Sequence, residues 1–585
     1  GPGPVAAQAG QGGAVPTEAQ VSRGAELTGA RAHWRAGPPR AATLRRVISA
    51  EPAATSRQQR RGNGGPSGMA LRWALLVALA GGLALAAAFP PVGIWPFAAL
   101  GPALLVVALT GRSLRGSLVV GLVFGVAFFF PLLSWVLNVA WYAWAGLAGG
   151  ETVIIAVLAV GQRLLLRLPG WPVAVAGWWV AAEGLRDRWP WGGFPWGRLA
   201  MSQASAPTAG WAAIGGAPLL TFLVALVGAT LAWLILAAGP PRGWRSWTGR
   251  LPRLTVPALA VAAAAGLALA GFALPADPSA GSSSAVVAAV QGDVPHARNL
   301  PALLNDTVVT QNHARATAGL AAQVKAGRRP APDIVIWPEN STDLDPFLYP
   351  AIYQEVLNAV RVAGRPILVG EVLDNPVRNV GQLWLPGRGP TAEYVKRQLV
   401  PFGEYIPFRS LVSHITSLTA LQPINFTPGH AAVVFKVGKI RLGDVICYEV
   451  GFDGLVRSEV TAGANLLTMQ TNDATFEVDG QTGESQQQLA MARIRAVESD
   501  RAVVVASTTG VSAIVAPDGR LIAHSGTWRQ AVLEARVPLI TYRTLADRVG
   551  SWPEYVIIAL TVLALLAAAA RRPFQQRMPP REAGH

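Results

Sequence analysis

The 585-residue chain has one cysteine, four lysines and little charge of either sign, with Asp, Glu, Lys and Arg making up only 14% of it. A single Cys excludes an intramolecular disulfide framework, so any folded extracellular part must be held by its core. Soluble chains ordinarily carry about 25% charged residues. The shortage here, beside 51% hydrophobic residues and a mean hydropathy of +0.35, points to lipid. The same apolar content excludes disorder of the chain as a whole. The seven His (His33, His296, His313, His414, His430, His524 and His585) include no helical pair, and one Cys cannot complete a zinc site. No phosphate loop or dinucleotide-type glycine turn occurs either, so neither metal nor cofactor is expected. The formal charge of +16 is almost all Arg. It sits in tails and in short loops between apolar runs, which is the positive-inside bias of membrane proteins and not a nucleic-acid face.

Residues 1–68 are rich in Gly, Ala, Pro, Gln and Arg without apolar periodicity. They are expected to be a disordered basic tail, with Met69 read as a natural start. From Leu71 the apolar runs reach the roughly 20 residues that a bilayer-spanning helix needs. Spans are expected near 71–89, 93–110, 116–138, 148–168, 171–186, 209–238 and 255–275, with an eighth at 554–570 in a segment 551–572. Arg112, Arg115, Arg163, Arg167, Arg242, Arg245, Arg250, Arg253, Arg571, Arg572, Arg577 and Arg581 all fall on the side of the basic tail. That pattern makes 573–585 a cytoplasmic tail and puts the large hydrophilic region, after seven spans, outside the cytoplasm. Only Arg186, Arg188 and Arg198 sit on the wrong side, partly offset by Glu183 and Asp187.

Residues 276–550 differ in kind. Apolar runs at 285–290, 333–337, 366–372, 440–446, 465–470 and 502–506 alternate with helical stretches. This is the pattern of an α/β domain of ordinary size.

Three segments place polar residues at or near the end of an apolar strand, where α/β domains assemble their sites. Trp337-Pro338-Glu339 closes the first, because Pro338 cannot continue the ladder; an exposed loop Glu is the plain alternative. Lys396, in a chain that elsewhere prefers Arg, is the second, and a kept Lys suggests that a compact point charge is wanted. Cys447, followed by Tyr448 and Glu449, is the third. A lone Cys is more often a small buried hydrophobe, but its place at a strand end favours chemistry. A thiol nucleophile needs a base, and the oxyanion it forms needs a fixed cationic or N–H partner. Glu339 and Lys396 are residue types suited to those two roles.

Together Trp337-Pro338-Glu339, Lys396 with Pro401-Phe402-Gly403-Glu404, and Cys447-Tyr448-Glu449 resemble the Glu–Lys–Cys triad of the nitrilase superfamily. More narrowly, they resemble the apolipoprotein N-acyltransferase family. Gln291-Gly292-Asp293, Thr471-Asn472-Asp473, the helix 490–498 and Gly193-Phe194-Pro195-Trp196 are similar to that family as well. The resemblance implies a nitrilase-like αββα sandwich on an eight-span membrane domain in the cell membrane. It implies transfer of an acyl chain from a phospholipid to the α-amino group of a diacylglyceryl-modified N-terminal Cys on an apolipoprotein. Carried over, Cys447 is the nucleophile, Glu339 the general base, Lys396 the electrostatic stabiliser and Glu404 a supporting carboxylate, with Tyr448 and Glu449 beside the nucleophile. Two departures stand out: no Trp near Leu300, and Gln487-Gln488 where Gln-His is usual. Both are expected to bear on substrate contacts and to leave the triad untouched.

Phe408, Leu411, Ile415 and Leu418 have helical apolar spacing just after the Lys396–Glu404 loop. They are read as a lid dipping toward lipid, against the plainer alternative of ordinary core. Trp189, Trp191 and Trp196 are read as an interfacial belt. Two other readings stay open: a membrane-tethered amidase of nitrilase type, and a non-catalytic scaffold for another membrane enzyme. The Arg pattern makes one direct prediction. Reporter fusions at Asp293 and Arg245 should report opposite sides of the membrane, and a shared side would overturn the topology.

Overall fold

Eight apolar helices form along the expected runs: α1 (Leu71–Ala87), α2 (Phe97–Leu109), α3 (Leu114–Leu132), α4 (Trp141–Leu165), α5 (Trp171–Arg186), α6 (Ala212–Ala238), α7 (Leu251–Leu269) and, last in the chain, α14 (Trp552–Ala570). The computed structural model describes residues 69–239, 251–274, 283–294, 307–342, 344–415, 419, 422–477 and 482–570. The tails 1–68 and 573–585, Arg242, Arg245, Arg250, Arg571, Arg572, Leu300 and Leu418 lie outside them. Among the described residues, five helical segments are long and apolar enough to cross a membrane, whereas α1, α2 and α5 have 17, 13 and 16 residues. The fourth helix begins at Trp141, ahead of the expected 148, and the third stops at Leu132, where a 3₁₀ turn, Ser134–Asn138, follows.

The side-chain distribution is that of a bundle in lipid. α1 buries Ala74, Ala78, Gly81 and Gly82 and exposes Trp73, Leu76, Leu79 and Leu83. α14 exposes Val556, Leu560, Leu563 and Leu566. In water those stripes would be a liability. In hydrocarbon, small residues let helices approach closely and large aliphatics face the lipid. This is a membrane protein.

The second architecture is two six-stranded sheets face to face. One runs β12-β1-β2-β3-β4-β5, with β1 (Ser283–Gln291), β2 (Ile334–Ile336), β3 (Ile367–Asp374), β4 (Val377–Leu385), β5 (Gly389–Val395) and β12 (Ala531–Leu539). The other runs β11-β10-β9-β8-β7-β6, with β6 (Val434–Val437), β7 (Ile440–Ile446), β8 (Leu466–Thr471), β9 (Val503–Ser507), β10 (Ala513–Val515) and β11 (Leu521–His524). The three central strands of each sheet are parallel and their neighbours antiparallel. Parallel strands covered on both faces read as continuous apolar runs, so these six are the ones legible in the sequence; the six antiparallel strands carry more polar residues and were not.

Val287, Ile336, Leu368, Ile446, Leu466 and Val504 fill the space between the sheets. Helices α8 (Val308–Lys325) and α9 (Pro350–Ala363) cover the outer face of the first sheet, burying Leu320 and Val356 against Val335 and Trp337. Helices α11 (Asp453–Thr461) and α12 (Gly483–Ser499) cover the second. The fold is the expected αββα sandwich. One short helix, α10 (Arg409–Ile415), stands apart from these layers after the Lys396–Glu404 loop, and another, α13 (Leu545–Val549), leads into α14.

α12 is buried nearly all round, because it has the sheet on one side and the membrane helices on the other. A single apolar cluster joins Phe124, Trp135 and Leu220 to Leu489, Met491 and Ile494 on α12 and to Val445, Met469 and Val505 on the sheet. Within this joint Asp453 accepts from Arg198 at 2.7 Å and from Arg495 at 2.6 Å, and Arg198 also reaches Asp187 at 3.1 Å. Arg186 pairs with buried Glu151 and Arg188 with Glu554. The three arginines read as wrong-side loop charges are therefore paired within the protein, and their charges do not report topology. Burial alone would raise the Asp453 carboxyl, but Arg198 and Arg495 hold it well below the usual carboxylate range.

The close helix contacts are testable at Gly121 on α3. A Cβ there would sit 2.7 Å from Ala156 Cα and from Ala159 Cβ on α4. Gly121→Leu should lower the melting temperature of the purified protein in detergent, at an overpacking cost of about 1–3 kcal/mol. Gly149→Ala, where no atom lies within 4 Å of the added carbon, should not.

Candidate active site

Glu339, Lys396 and Cys447 come from three different strand ends. Glu339 lies three residues past β2, where Pro338 stops the ladder and the chain turns over Gly370; a Cβ on Gly370 would stand 2.7 Å from Glu339 Cα. Lys396 directly follows β5, its backbone N–H donating to Asn379 O on β4 at 2.9 Å. Cys447 opens the 3₁₀ turn Cys447–Gly451 after β7 with φ of 52°. A non-glycine residue held in the left-handed region is strained and must be held there by its surroundings.

Glu449 is a large part of what holds it. Fully buried, it accepts from the backbone N–H groups of Arg397 (2.6 Å), Gln398 (3.0 Å) and Ile446 (2.8 Å) and from the Tyr394 hydroxyl (2.8 Å). One carboxylate thus ties the Cys447 turn to the strand that carries Lys396. Arg495 holds the far end of the turn, donating to Val450 O and Gly451 O at 2.9 Å each.

The Lys396 ammonium, 1% exposed, donates to Glu339 Oε1 at 3.0 Å and to Glu404 Oε1 at 2.9 Å. Asn379 Nδ2 bridges the same two oxygens at 2.6 and 3.0 Å. Glu339 Oε2 accepts from the backbone N–H of Asn472 at 2.9 Å, and Glu404 Oε2 from that of Val400 at 2.8 Å. Burial raises the Glu339 carboxyl above its ordinary value; Lys396 draws it back and Glu404 raises it again. Burial would lower Lys396, yet the two carboxylates hold it well above the usual lysine value. Burial first, and then Glu339, push the Cys447 thiol well up, with Lys396 opposing. Burial and the neighbouring charges thus hold the Cys447 thiol, the Lys396 ammonium and the Glu339 carboxyl all above their ordinary values.

Asn379 and the Asn472 N–H were not legible in the sequence. Asn379 sits on an antiparallel strand with no apolar signature, and a backbone donor leaves no sequence mark. Gln488 is a correction. Expected to lie clear of the triad, it places its Nε2 3.4 Å from Cys447 Sγ, because the first turns of α12 run under Cys447. Its neighbour Gln487 instead donates to Leu132 O at 3.0 Å and Pro90 O at 3.2 Å at the ends of membrane helices.

Tyr448 turns toward the membrane domain. Its hydroxyl donates to Gly193 O at 2.6 Å, and its ring stacks on Trp196 with centroids 5.6 Å apart. Trp196 is therefore no belt residue: it is 2% exposed, whereas Trp189 and Trp191 are open. Phe408 and Leu411 are 70% and 62% exposed, so that stripe is not ordinary core; the Ile415 side chain and Leu418 lie outside the described residues. Among the described residues no group of His, Cys, Asp and Glu is arranged to hold a metal.

The chain matches the family described as apolipoprotein N-acyltransferase N-terminal domain over residues 81–230 and that described as carbon-nitrogen hydrolase over 287–547. An amidase from Nesterenkonia sp. AN1, solved as a mutant, is similar at 16% identity and a TM-score of 0.34, over 46% of this chain and 98% of that one. An apolipoprotein N-acyltransferase of Azotobacter vinelandii is 30% identical over 86% of this chain and 96% of its own. That of Mycolicibacterium smegmatis is 39% identical over 513 residues, 84% of this chain and 85% of its own. With such identity running through both the helical and the sandwich parts, the chain belongs to the apolipoprotein N-acyltransferase family.

Proposed function

We propose that this enzyme moves an acyl chain from a phospholipid to the α-amino group of the diacylglyceryl-modified N-terminal Cys of apolipoproteins, through a thioester on Cys447. The observation that carries the reading is the buried Lys396 ammonium, clamped by Glu339 and Glu404 beside a strained, buried thiol. Glu339 takes the thiol proton as Cys447 Sγ attacks the ester carbonyl. The oxyanion is met by the Lys396 ammonium and the backbone N–H of Tyr448; loss of one such donor typically costs about 3–4 kcal/mol of transition-state stabilisation. The lysophospholipid oxygen leaves with the proton from Glu339. In the second half the amine attacks the thioester and gives its proton to Glu339.

The rim of the site favours lipid over a soluble amide. Tyr405, next to Glu404, donates to Trp191 O at 3.1 Å, and the Phe402 and Trp191 rings meet at 5.4 Å. The loop bearing Glu404 therefore touches the membrane domain, and the exposed Phe408 and Leu411 follow it as a lid suited to dip into lipid. An amidase for soluble substrates has no use for this rim, and a scaffold has none for the clamped lysine. Residues 276–550 are the catalytic domain in this reading, on the extracytoplasmic side of the cell membrane, with 69–275 and 551–572 spanning it.

A transferase must protect its thioester until the acceptor arrives, which a hydrolase need not do. With phospholipid and no acceptor, a hydroxylamine-labile acyl mass should accumulate on Cys447. It should discharge on adding a diacylglyceryl peptide with a free amine but not one with a blocked amine, and Cys447→Ser should abolish it. Rapid fatty-acid release without a labelled intermediate would favour hydrolysis instead.

The pH profile follows from the site's charges. Glu339 works ionised, and its carboxyl stands above the ordinary value of 4.5, so kcat/KM should rise with pH along an acid limb whose midpoint lies above 4.5. Glu404→Gln removes the like charge that helps to raise it, so the residual activity of that variant should show the limb displaced to lower pH.

A further inference from the structure

Gln488 meets the nucleophile with an amide whose orientation is set at both ends. Its Oε1 accepts from the Thr471 hydroxyl at 2.9 Å, and its Nε2 donates to Glu484 and lies 3.4 Å from Cys447 Sγ. A primary amide nitrogen carries two hydrogens: one goes to Glu484 and the other points at sulfur. Gln488, Glu484 and Thr471 are each 1% exposed, so no water competes for these bonds. Thr471 Oγ1 is also 3.0 Å from Asp473 Oδ1. The Thr471 hydroxyl hydrogen therefore lies between the Gln488 and Asp473 acceptors. Burial, and then Asp473, push the Glu484 carboxyl well above the ordinary carboxylate value. Glu484 accepts from Gln488 with or without a proton of its own, since a neutral carboxyl keeps a carbonyl oxygen.

We propose that Gln488 is a further catalytic residue: its side-chain N–H, fixed by Glu484 and Thr471, stabilises the Cys447 sulfur whenever it carries charge. Sulfur is charged twice in the reaction. It is first charged when Glu339 has taken the thiol proton. In the second half the amine nitrogen forms its bond to the thioester carbon, the C–S bond breaks with its electron pair going to sulfur, and the amine proton goes to Glu339, from which the thiol is later restored. Lys396 serves the carbonyl oxygen in these steps; Gln488 serves the leaving sulfur. The leaving-group role rests on the thioester reading above, whereas the effect on the free thiolate does not.

Cys447 is the only cysteine in the chain, so alkylation by iodoacetamide reports this sulfur alone. In the full-length protein in detergent, Gln488→Met keeps the side-chain length and removes the donor. It should slow alkylation at neutral pH about tenfold, the size expected for one hydrogen bond to a charged group, and move the midpoint of the pH profile upward by about one unit. Gln488→His, which can again present an N–H, should recover most of both. With phospholipid and acceptor, Gln488→Met should lower kcat with KM for the acceptor little changed. If Gln488→Met fails to fold, as judged by its melting temperature, Gln488→Asn draws the N–H back by one methylene and should show the same shift. An unchanged or lowered midpoint in the folded variant overturns the proposal. If no acyl group is ever found on Cys447, the transfer reading fails while the alkylation profile still decides the role of Gln488.

Discussion

Removing the Lys396 ammonium from water costs several kcal/mol even after relaxation, and the sandwich is arranged so that this cost is offset. Glu339 and Glu404 flank the charge, Asn379 ties the two carboxylates together, and the Asn472 and Val400 N–H groups take up their remaining oxygens. These partners come from four segments, Glu339 after β2, Asn379 on β4, Val400 and Glu404 in one loop and Asn472 after β8, so burying the charge depends on both sheets being in place. What this arrangement provides is a cation of fixed position in a medium of low dielectric, where a charge is felt far more strongly than in water.

The same constraint ties the sandwich to the membrane. The turn that holds Cys447 at positive φ is fastened by Glu449 toward the lysine strand and by Arg495 toward α12. Arg495 shares Asp453 with Arg198, which belongs to the loop between membrane helices. Tyr448 reaches that loop directly through Gly193. Adjacent glutamines on α12 divide the work: Gln487 binds carbonyls at the ends of the membrane helices, and Gln488 meets the sulfur. A shift of the membrane loop would therefore be felt at Cys447 through a few packed and hydrogen-bonded residues. Breaking such a buried ion pair from one side leaves an unpaired charge, at a cost of roughly 3–5 kcal/mol, so the joint favours rigidity over sliding.

The membrane helices, the α/β character of 276–550 and the candidate residues Glu339, Lys396 and Cys447 were legible because each leaves a local mark: a long apolar run, a continuous Val- and Ile-rich strand, or a polar residue where such a strand ends; the αββα arrangement followed from the family resemblance. Glu339, Lys396 and Cys447 could be named from their strand ends and motifs before any geometry was known. Arg186, Arg188 and Arg198 show the limit of that reading. Counted along the chain they are charges in a loop; in space Arg198 meets Asp453 from a position 255 residues away. Trp196 likewise looked like an interfacial aromatic beside Trp189 and Trp191, and only the stacking on Tyr448 puts it inside. Asn379 is placed by antiparallel pairing, the Asn472 N–H by the turn that follows β8, and Gln488 by the docking of α12, none of which has a period along the chain. The sequence by itself determined which elements form and which groups can do chemistry, since propensity, hydropathy and side-chain identity are properties of a residue and its neighbours. The tertiary structure alone decided which charges are paired and which amide faces the sulfur, because those energies depend on distance and burial in space.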